Sequence, residues 1–160
     1  MLVPFSWLKK YEEINSSPSE IAHLLTMGGV EIDEIRVIGD NLDSSLIIGK
    51  IIDVKRHPNA DRLSIANTKI DNNKELSIIC GAPNLKNDQL VVVALPGTKL
   101  FNPKTNKYQP LKETTIRGIS SSGMICSEIE LGIGTDHDGI LVLGLDAKIG
   151  QSAKEYLTDT

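Results

Sequence analysis

The sequence predicts an α+β fold, mainly β, in which a closed barrel of about five strands follows a small α/β piece. Helix signals lie in the first 40 residues and near the end of the chain. Between them, from residue 46 onward, short apolar runs alternate with turn residues. Two of these runs, 75–80 and 89–95, carry apolar residues in both alternating phases. This pattern favours a closed or tightly curved barrel over a flat sheet with one buried face.

The N-terminal piece is expected to contain a short apolar helix face formed by Trp7, Leu8 and Tyr11, then a capped helix and one strand. Ser17 can cap the helix, Pro18 suits its first position, and Glu20 can complete a capping box. Two glycines at 28–29 should end the helix. The alternation of apolar and polar residues over 30–35 then predicts a half-buried strand. These elements place a small α/β piece in residues 1–40.

Residues 41–151 are predicted to form the barrel. Turn signals such as Pro58-Asn59 and Pro96-Gly97 separate the apolar runs. About five strands within about 110 residues are typical of an OB-type barrel. A short helix over 152–157 is expected after it. The strand candidates are 46–54, 63–70, 75–80, 89–95, 114–119, 123–127 and 139–143.

Length, charge and composition narrow the classes of function. The chain has 160 residues and a net charge of −4, which argues against a general nucleic-acid binder but allows a local basic patch. It has no run of 18 apolar residues and no secretory signal at its start, so no membrane association is expected. Two cysteines without C-x-x-C spacing do not form a disulfide framework. These features predict a cytoplasmic protein.

The motifs of several enzyme classes are missing. Neither G-x-S-x-G nor G-x-x-x-x-G-K-[ST] occurs, so nucleophilic catalysis and a Walker-type phosphate loop have no support. Candidate metal ligands are the Asp-His-Asp run at 136–138, together with His57, Cys80 and Cys126. Three residues in a row rarely share one ion, and aspartates in turns commonly bond to local backbone. The cysteines are expected to be small buried hydrophobes. We therefore predict no catalytic residue and no metal site.

One segment, VKRHPNADRLSI at 54–65, carries more polar chemistry than a plain turn between two strands requires. The proline forces an extended residue before it and a turn after it. His57, Pro58 and Asp61 are therefore predicted to build and brace this loop. Asn59 and Arg62 are predicted to face outward.

Two further segments have the same character. CGAPN at 80–84 joins a strand end to Pro83-Asn84, with Gly81 as a second bracing position. IRGISSSGMICSE at 116–128 supplies an arginine, three serines and a methionine around the bracing residue Gly123. Three rigid polar loops at one barrel mouth would form a binding face, because loops carry function on small barrels.

These segments also carry a family resemblance. KRHPNADRLSIANTKI, IICGAPN and RGISSSGMICSEIELGI resemble the OB-type tRNA-binding domain shared by several aminoacyl-tRNA synthetases and associated factors. FSWLKKY, SPSEIAHLLTMGGVEIDEI and DHDGILVL resemble the opening of the β subunit of bacterial phenylalanyl-tRNA synthetases. Together the resemblance covers nearly the whole chain.

The resemblance implies a role within a larger enzyme. The parent enzyme is an α2β2 ligase that joins phenylalanine to its tRNA with ATP and magnesium. Its catalytic centre lies in the α subunit and its editing centre lies further along β, so this chain should hold neither and need no cofactor. The implied partners are tRNA, the α subunit and the remainder of β. The small N-terminal piece would belong to a domain that the barrel interrupts and that continues at about 152–160.

A hypothesis for the tRNA-binding residues follows from the resemblance and the residue types. RNA is usually recognised through its backbone and its unpaired bases. The third segment departs from the family because LKETTI at 111–116 replaces most of the lysines that often precede its R-G. The basic connection 96–112 contributes lysines instead. The candidate tRNA-binding residues are the cations Arg62, Lys86, Lys99, Lys112 and Arg117, the hydrogen-bonding residues Asn59, Asn84, Ser122 and Ser127, and the apolar Met124.

Two alternatives remain open at this point. The barrel can act mainly as a structural scaffold of the synthetase, with little RNA binding of its own. A metal-dependent enzyme is the other class, and it would require stoichiometric metal in the purified protein.

Overall fold

The structure is a computed structural model that describes residues 3–158, and it is mainly β. Its four helices and nine strands are numbered here in chain order. The helices are α1 (Phe5–Leu8), α2 (Pro18–Met27), α3 (Glu128–Leu131) and α4 (Ala153–Thr158). The strands are β1 (Ile47–Arg56), β2 (Ser64–Asp71), β3 (Lys74–Cys80), β4 (Leu90–Ala94), β5 (Lys99–Asn102), β6 (Lys107–Pro110), β7 (Thr114–Ile116), β8 (Ile119–Ser121) and β9 (Met124–Ile125).

Five strands form one antiparallel sheet in the order β3-β2-β1-β4-β9. The register of β1 shifts between Ile51 and Asp53, and such a bulge bends a strand. The two ends of the sheet then approach each other. The Ser122 N–H donates to the Ser77 carbonyl at 3.0 Å, and the Ile79 N–H donates to the Ser121 hydroxyl at 3.0 Å. The sheet is thus a nearly closed five-stranded barrel, which confirms the predicted fold class.

Two apolar clusters lie on opposite faces of β4. Val91 and Val93 pack inside the barrel with Ile78, whereas Val92 and Ala94 pack outward against a second cluster. All four β4 residues from 91 to 94 have no exposed surface. The apolar residues in both phases of this run therefore reflect a second layer of chain over the barrel, in addition to its closure.

Several predicted elements differ from the structure. The run 114–119 is not one strand but the β7–β8 hairpin, because Arg117 (φ 48°) and Gly118 (φ 88°) form its two-residue turn. Positive φ at both positions is what a type I′ turn requires, and arginine is uncommon there. The run 139–143 forms only an isolated bridge between Val142 and Val91. The connection 96–112 contains the β5–β6 hairpin.

Helix α2 begins and ends as predicted. Ser17 and Glu20 form the reciprocal capping box, and this bonding holds the pKa of the Glu20 carboxyl below its usual value. The strand predicted over 30–35 is absent, and no described residue before Ile47 lies in a strand. An apolar alternation becomes a strand only where a neighbouring strand accepts its backbone hydrogen bonds, and this segment has no such neighbour among residues 3–158.

None of the described helices is both long enough and apolar enough to cross a membrane. The burial predicted for the cysteines holds fully for Cys126 and in part for Cys80. Cys126 is fully buried in the outer cluster and Cys80 is partly buried at the end of β3. Burial raises the pKa of both thiols above the usual range.

We expect Cys126 not to react with an aromatic disulfide reagent at about pH 8 on the time scale on which free cysteine reacts, and the partly buried Cys80 to react more slowly than free cysteine, because the thiolate is the reactive form. Since the folded pKa values are raised, stability is fully present below the unfolded value of about 8.5 and falls as the pH rises above it. Thiol titration of folded and guanidinium-unfolded chain measures the first effect, and thermal melts between about pH 7 and about pH 10 measure the second. Rapid reaction of Cys126 in the folded chain would contradict the burial.

Candidate nucleic-acid interface

His57 holds the loop between β1 and β2 through both of its ring nitrogens. The Asn59 N–H donates to Nδ1 at 3.1 Å, and Nε2 lies 3.2 Å from the Ile116 carbonyl oxygen. Because Nδ1 accepts, Nε2 is the nitrogen that carries the proton and donates to Ile116. The ring is 4% exposed. His57 thus joins this loop to the β7–β8 hairpin.

Most of the other residues of this loop are exposed, although Ala60 is buried. Pro58 and Asp61 face solvent, and no hydrogen bond from a described residue reaches the Asp61 carboxylate. Backbone bonds close the loop instead, from the His57 N–H to the Leu63 carbonyl at 3.0 Å and from the Leu63 N–H to the Ala60 carbonyl at 3.1 Å. The histidine and the backbone therefore do the bracing that the sequence also suggested for Asp61.

Three arginines surround this loop, and we call Arg56, Arg62 and Arg117 the arginine corner. Arg56 and Arg62 flank the loop on β1 and before β2, and both are exposed. Arg117, at the tip of the β7–β8 hairpin, donates to the Asn59 carbonyl oxygen at 2.7 Å. No carboxylate of a described residue forms a salt bridge with any of the three. The corner is thus a concentration of unneutralised positive charge on a braced loop.

Arg56 was missed by reasoning from the sequence. It is the last residue of β1, directly before His57, and a strand end offers no motif of its own. Its position directly before the loop between β1 and β2 could have indicated it, since the last side chain of a strand lies at the same end of the barrel as the loop that follows. The contact between this loop and Arg117, 58 residues away, has no local signal at all.

A cleft of about 370 Å³ lies beside the corner, and we call it the hairpin cleft. The end of β3, the β7–β8 hairpin, the start of α3 and the loop 137–140 form its walls. Five predicted residues line it, namely Gly81, Lys112, Gly123, Met124 and Ser127. Among the other lining side chains, which the sequence did not single out as tRNA-binding, are Glu130, His137 and Asp138.

Local bonding fixes the floor of the hairpin cleft. Ser127 caps α3, and its backbone N–H and its hydroxyl both donate to the Glu130 carboxylate at 2.8 Å. This capping box was readable in the sequence as S-x-x-E. Met124 pairs with Ala94 and packs partly on the outer cluster. A Cβ at Gly123 would lie 2.7 Å from the Ala94 carbonyl oxygen, so only glycine fits there without a shift.

Other predicted residues lie outside the lining of the hairpin cleft. The Asn84 amide is used by the fold, because it donates to the Ile140 carbonyl at 3.0 Å and accepts from the Ile140 N–H at 2.9 Å. Ser122 is bonded through its N–H to β3. Lys86 is exposed in the loop after β3. Lys99 begins β5, and its backbone N–H donates to Asp43, which lowers the pKa of that carboxyl.

The candidate metal ligands do not gather around one point. No group of three or more histidine, cysteine, aspartate or glutamate side chains within residues 3–158 is arranged to hold an ion. His57 uses both nitrogens on backbone groups. The Asp136 carboxylate accepts from the Asp138 N–H at 2.9 Å, as aspartates in turns commonly do.

A nearly closed five-stranded barrel is the architecture of the OB fold, a class of domain whose loops commonly bind oligonucleotides. The family model described as "Putative tRNA binding domain" matches residues 46–152. The chain belongs to this family of tRNA-binding domains.

The sequence relatives agree with the resemblance to the β subunit of bacterial phenylalanyl-tRNA synthetases. The chain is 41% identical to the phenylalanine–tRNA ligase beta subunit of Salinibacter ruber, over 98% of the chain and 19% of that protein. It is 42% identical to the same subunit of Bacteroides fragilis, with the same coverage of 98% and 19%. The resemblance stated from the sequence is thus confirmed, and the chain spans about a fifth of the length of these relatives.

Among solved structures, the C-terminal domain of Plasmodium vivax p43 superposes with a TM-score of 0.46 and 23% identity. That alignment covers 76% of this chain and 62% of the other.

Proposed function

We propose that this chain is the tRNA-binding module of the β subunit of a phenylalanine–tRNA ligase and helps to attach phenylalanine to its tRNA. The observation that carries the proposal is the arginine corner, which lies on the barrel that belongs to the tRNA-binding family. Each guanidinium can donate two parallel hydrogen bonds to a phosphate, which a lysine ammonium cannot do. The corner therefore contacts the tRNA backbone.

Bracing of the loop matters for this contact. The bonds of His57 to Asn59 and Ile116 hold the loop against the β7–β8 hairpin before any ligand arrives. Binding then loses little conformational freedom, and preorganisation of this kind improves affinity. The cations act locally, because the chain as a whole has a net charge of −4.

Binding by the isolated chain is expected to be weak. If about three phosphates are neutralised, the logarithm of affinity falls against the logarithm of salt concentration with a slope of roughly −2 to −3. Within a complete ligase a weak module still contributes, because tethering raises its effective concentration. The α subunit and the remainder of β, in an α2β2 assembly in the cytoplasm, are the proposed partners. ATP and magnesium act in the intact enzyme, at sites outside this chain.

Titration of the 160-residue chain with phenylalanine tRNA and with an unrelated tRNA, at about 50 and about 200 mM salt, tests the proposal. We expect both RNAs to bind, with similar affinity and with the slope given above, since backbone contacts carry no sequence information. Absence of binding at the lower salt concentration would refute autonomous tRNA binding.

A scaffold role is the second candidate, and one observation favours it. The segment 3–38 exposes apolar side chains that a complete protein would cover, among them Trp7 at 50%, Met27 at 76% and Val37 at 65%. Helix α2 has no buried residue. A chain that fails to bind tRNA yet associates with the remainder of β would establish this role.

A further inference from the structure

The hairpin cleft has the wrong charges for a phosphate. Its lining carries the carboxylates of Glu130 and Asp138, the ammonium of Lys112 and the imidazole of His137, whose Nε2 lies 3.6 Å from Asp138 Oδ1. An anion placed beside the Glu130 carboxylate would be repelled by it. The cleft therefore differs from the arginine corner, and the two neighbouring regions cannot bind the same part of an RNA.

The Glu130 carboxylate is fixed in place and has capacity left to accept hydrogen bonds. Its Oε2 accepts from the N–H and the hydroxyl of Ser127, both at 2.8 Å. No described residue donates to its Oε1. A carboxylate offers about four acceptor positions, so about two remain for a ligand.

The walls of the hairpin cleft are suited to a flat, uncharged group. Ile79, Ile116, Met124 and Ile140 provide its apolar surface. Its volume of about 370 Å³ falls in the range of small-molecule sites, which is about 300–1,000 Å³. RNA-binding proteins commonly take up unstacked bases in such places and bond to their Watson–Crick edges.

We propose that the hairpin cleft binds an unstacked guanine, with Glu130 as the acceptor that selects it. Guanine is the base whose Watson–Crick edge presents two adjacent donors, N1–H and the 2-amino group, beside one acceptor, O6. The donors match the Glu130 carboxylate and O6 matches the Lys112 ammonium. The role of this site in RNA binding rests on the proposed function, in which the arginine corner binds backbone while the cleft binds one base.

Mononucleotides test the selectivity directly. The 160-residue chain is titrated with guanosine, inosine and adenosine 5′-monophosphates, and amide chemical shifts are followed by NMR. Inosine monophosphate lacks only the 2-amino group of guanine. We expect guanosine monophosphate to bind about tenfold more tightly than inosine monophosphate, with adenosine monophosphate weakest, as for a lost base-edge hydrogen bond. The shifts are expected at Ser127, Glu130 and Ile140.

Two matched variants assign the selectivity to one carboxylate. Glu130→Gln keeps an acceptor for Ser127, so α3 stays capped, but it removes the charge and one acceptor oxygen. It is expected to reduce the preference for guanosine over inosine monophosphate to less than about twofold. Glu128→Gln makes the same change in the same helix outside the cleft lining, and it is expected to keep the full preference.

The outcomes of these experiments show which of the two proposals is wrong. The guanine site would be overturned if the three nucleotides bind equally or do not bind at all. It would also be overturned if both variants lose the preference for guanosine monophosphate equally, or if the chemical-shift changes are confined to the arginine corner. Titration of the same proteins with tRNA separates this from the proposed function. If tRNA binds with the expected salt dependence while guanosine monophosphate does not enter the cleft, only the guanine site fails. If guanosine monophosphate enters the cleft and tRNA does not bind, the tRNA-binding role fails and the nucleotide site stands.

Discussion

Replacement of Arg62 and Arg117 together by glutamate is expected to lower tRNA affinity by roughly 100-fold at about 50 mM salt and to make the salt slope shallower by about two. Two phosphate contacts disappear, and two carboxylates then repel the backbone. Both side chains are exposed, so no core packing is lost. Filter binding or fluorescence anisotropy at several salt concentrations measures both quantities.

A control pair separates this local effect from net charge. Lys74→Glu with Lys148→Glu makes the same change in charge at two exposed lysines that line neither the arginine corner nor the hairpin cleft. It is expected to reduce affinity by no more than about threefold, because distant charges are screened. An equal loss in both pairs would mean that overall charge decides binding, and unchanged affinity in the arginine pair would remove the corner from the interface.

Stability must be checked in the same variants. Arg117 donates to the Asn59 carbonyl, so its replacement costs about 1 kcal/mol of unfolding free energy. Arg62 makes no hydrogen bond or salt bridge with a described residue. Arg62→Glu alone is therefore expected to melt like the parent and to lose roughly tenfold in tRNA affinity.

The second large effect is expected at the junction of β4 and β9. Gly123→Ala should lower the free energy of unfolding by about 2–3 kcal/mol, as overpacking of a core commonly does. The new Cβ would lie 2.7 Å from the Ala94 carbonyl oxygen. That atom belongs to the backbone of a fully buried strand, so relief requires the β4–β9 pairing to shift. Thermal and urea unfolding measure the loss, which corresponds to roughly 5–10 °C in melting temperature.

Gly81→Ala is the matched control. Its new Cβ would lie 3.3 Å from Leu63 Cδ2, the end of a flexible side chain that can move. We expect a loss below about 1 kcal/mol, since surface substitutions of this kind are usually small. Similar melting of the parent and Gly123→Ala would show that β9 adapts easily, and the hairpin cleft floor would then be less rigid than the structure indicates.

Much of the barrel could be predicted because its signals are local. Apolar runs bounded by turn residues placed β1 to β4 within two residues of their observed bounds. The spacing of Ser17 and Glu20 predicted the start of the helix that they cap. The same logic failed at 30–35, because a strand needs a partner and sequence alternation does not show whether one is present. It failed again at Arg117, whose positive φ is unusual for its residue type.

The candidate site was only partly accessible from the sequence. Loop chemistry pointed to Asn59, Arg62 and Arg117, and the structure gathers these three at one corner. Asn84 looked equally polar, but its amide is occupied by the backbone of Ile140, 56 residues away. No residue near Asn84 in the sequence indicates these hydrogen bonds to Ile140.

The sequence by itself determined the fold class, the positions of β1 to β4, the helix cap at Ser17 and the burial of Cys126. Each follows from residue spacing or from the chemistry of a few neighbours. Only the tertiary structure decided that His57 braces the mouth, that Arg56 joins the arginine corner and that Glu130 lines the hairpin cleft. The reason is physical, since these contacts exist only once the barrel has closed and brought together chain segments that are tens of residues apart.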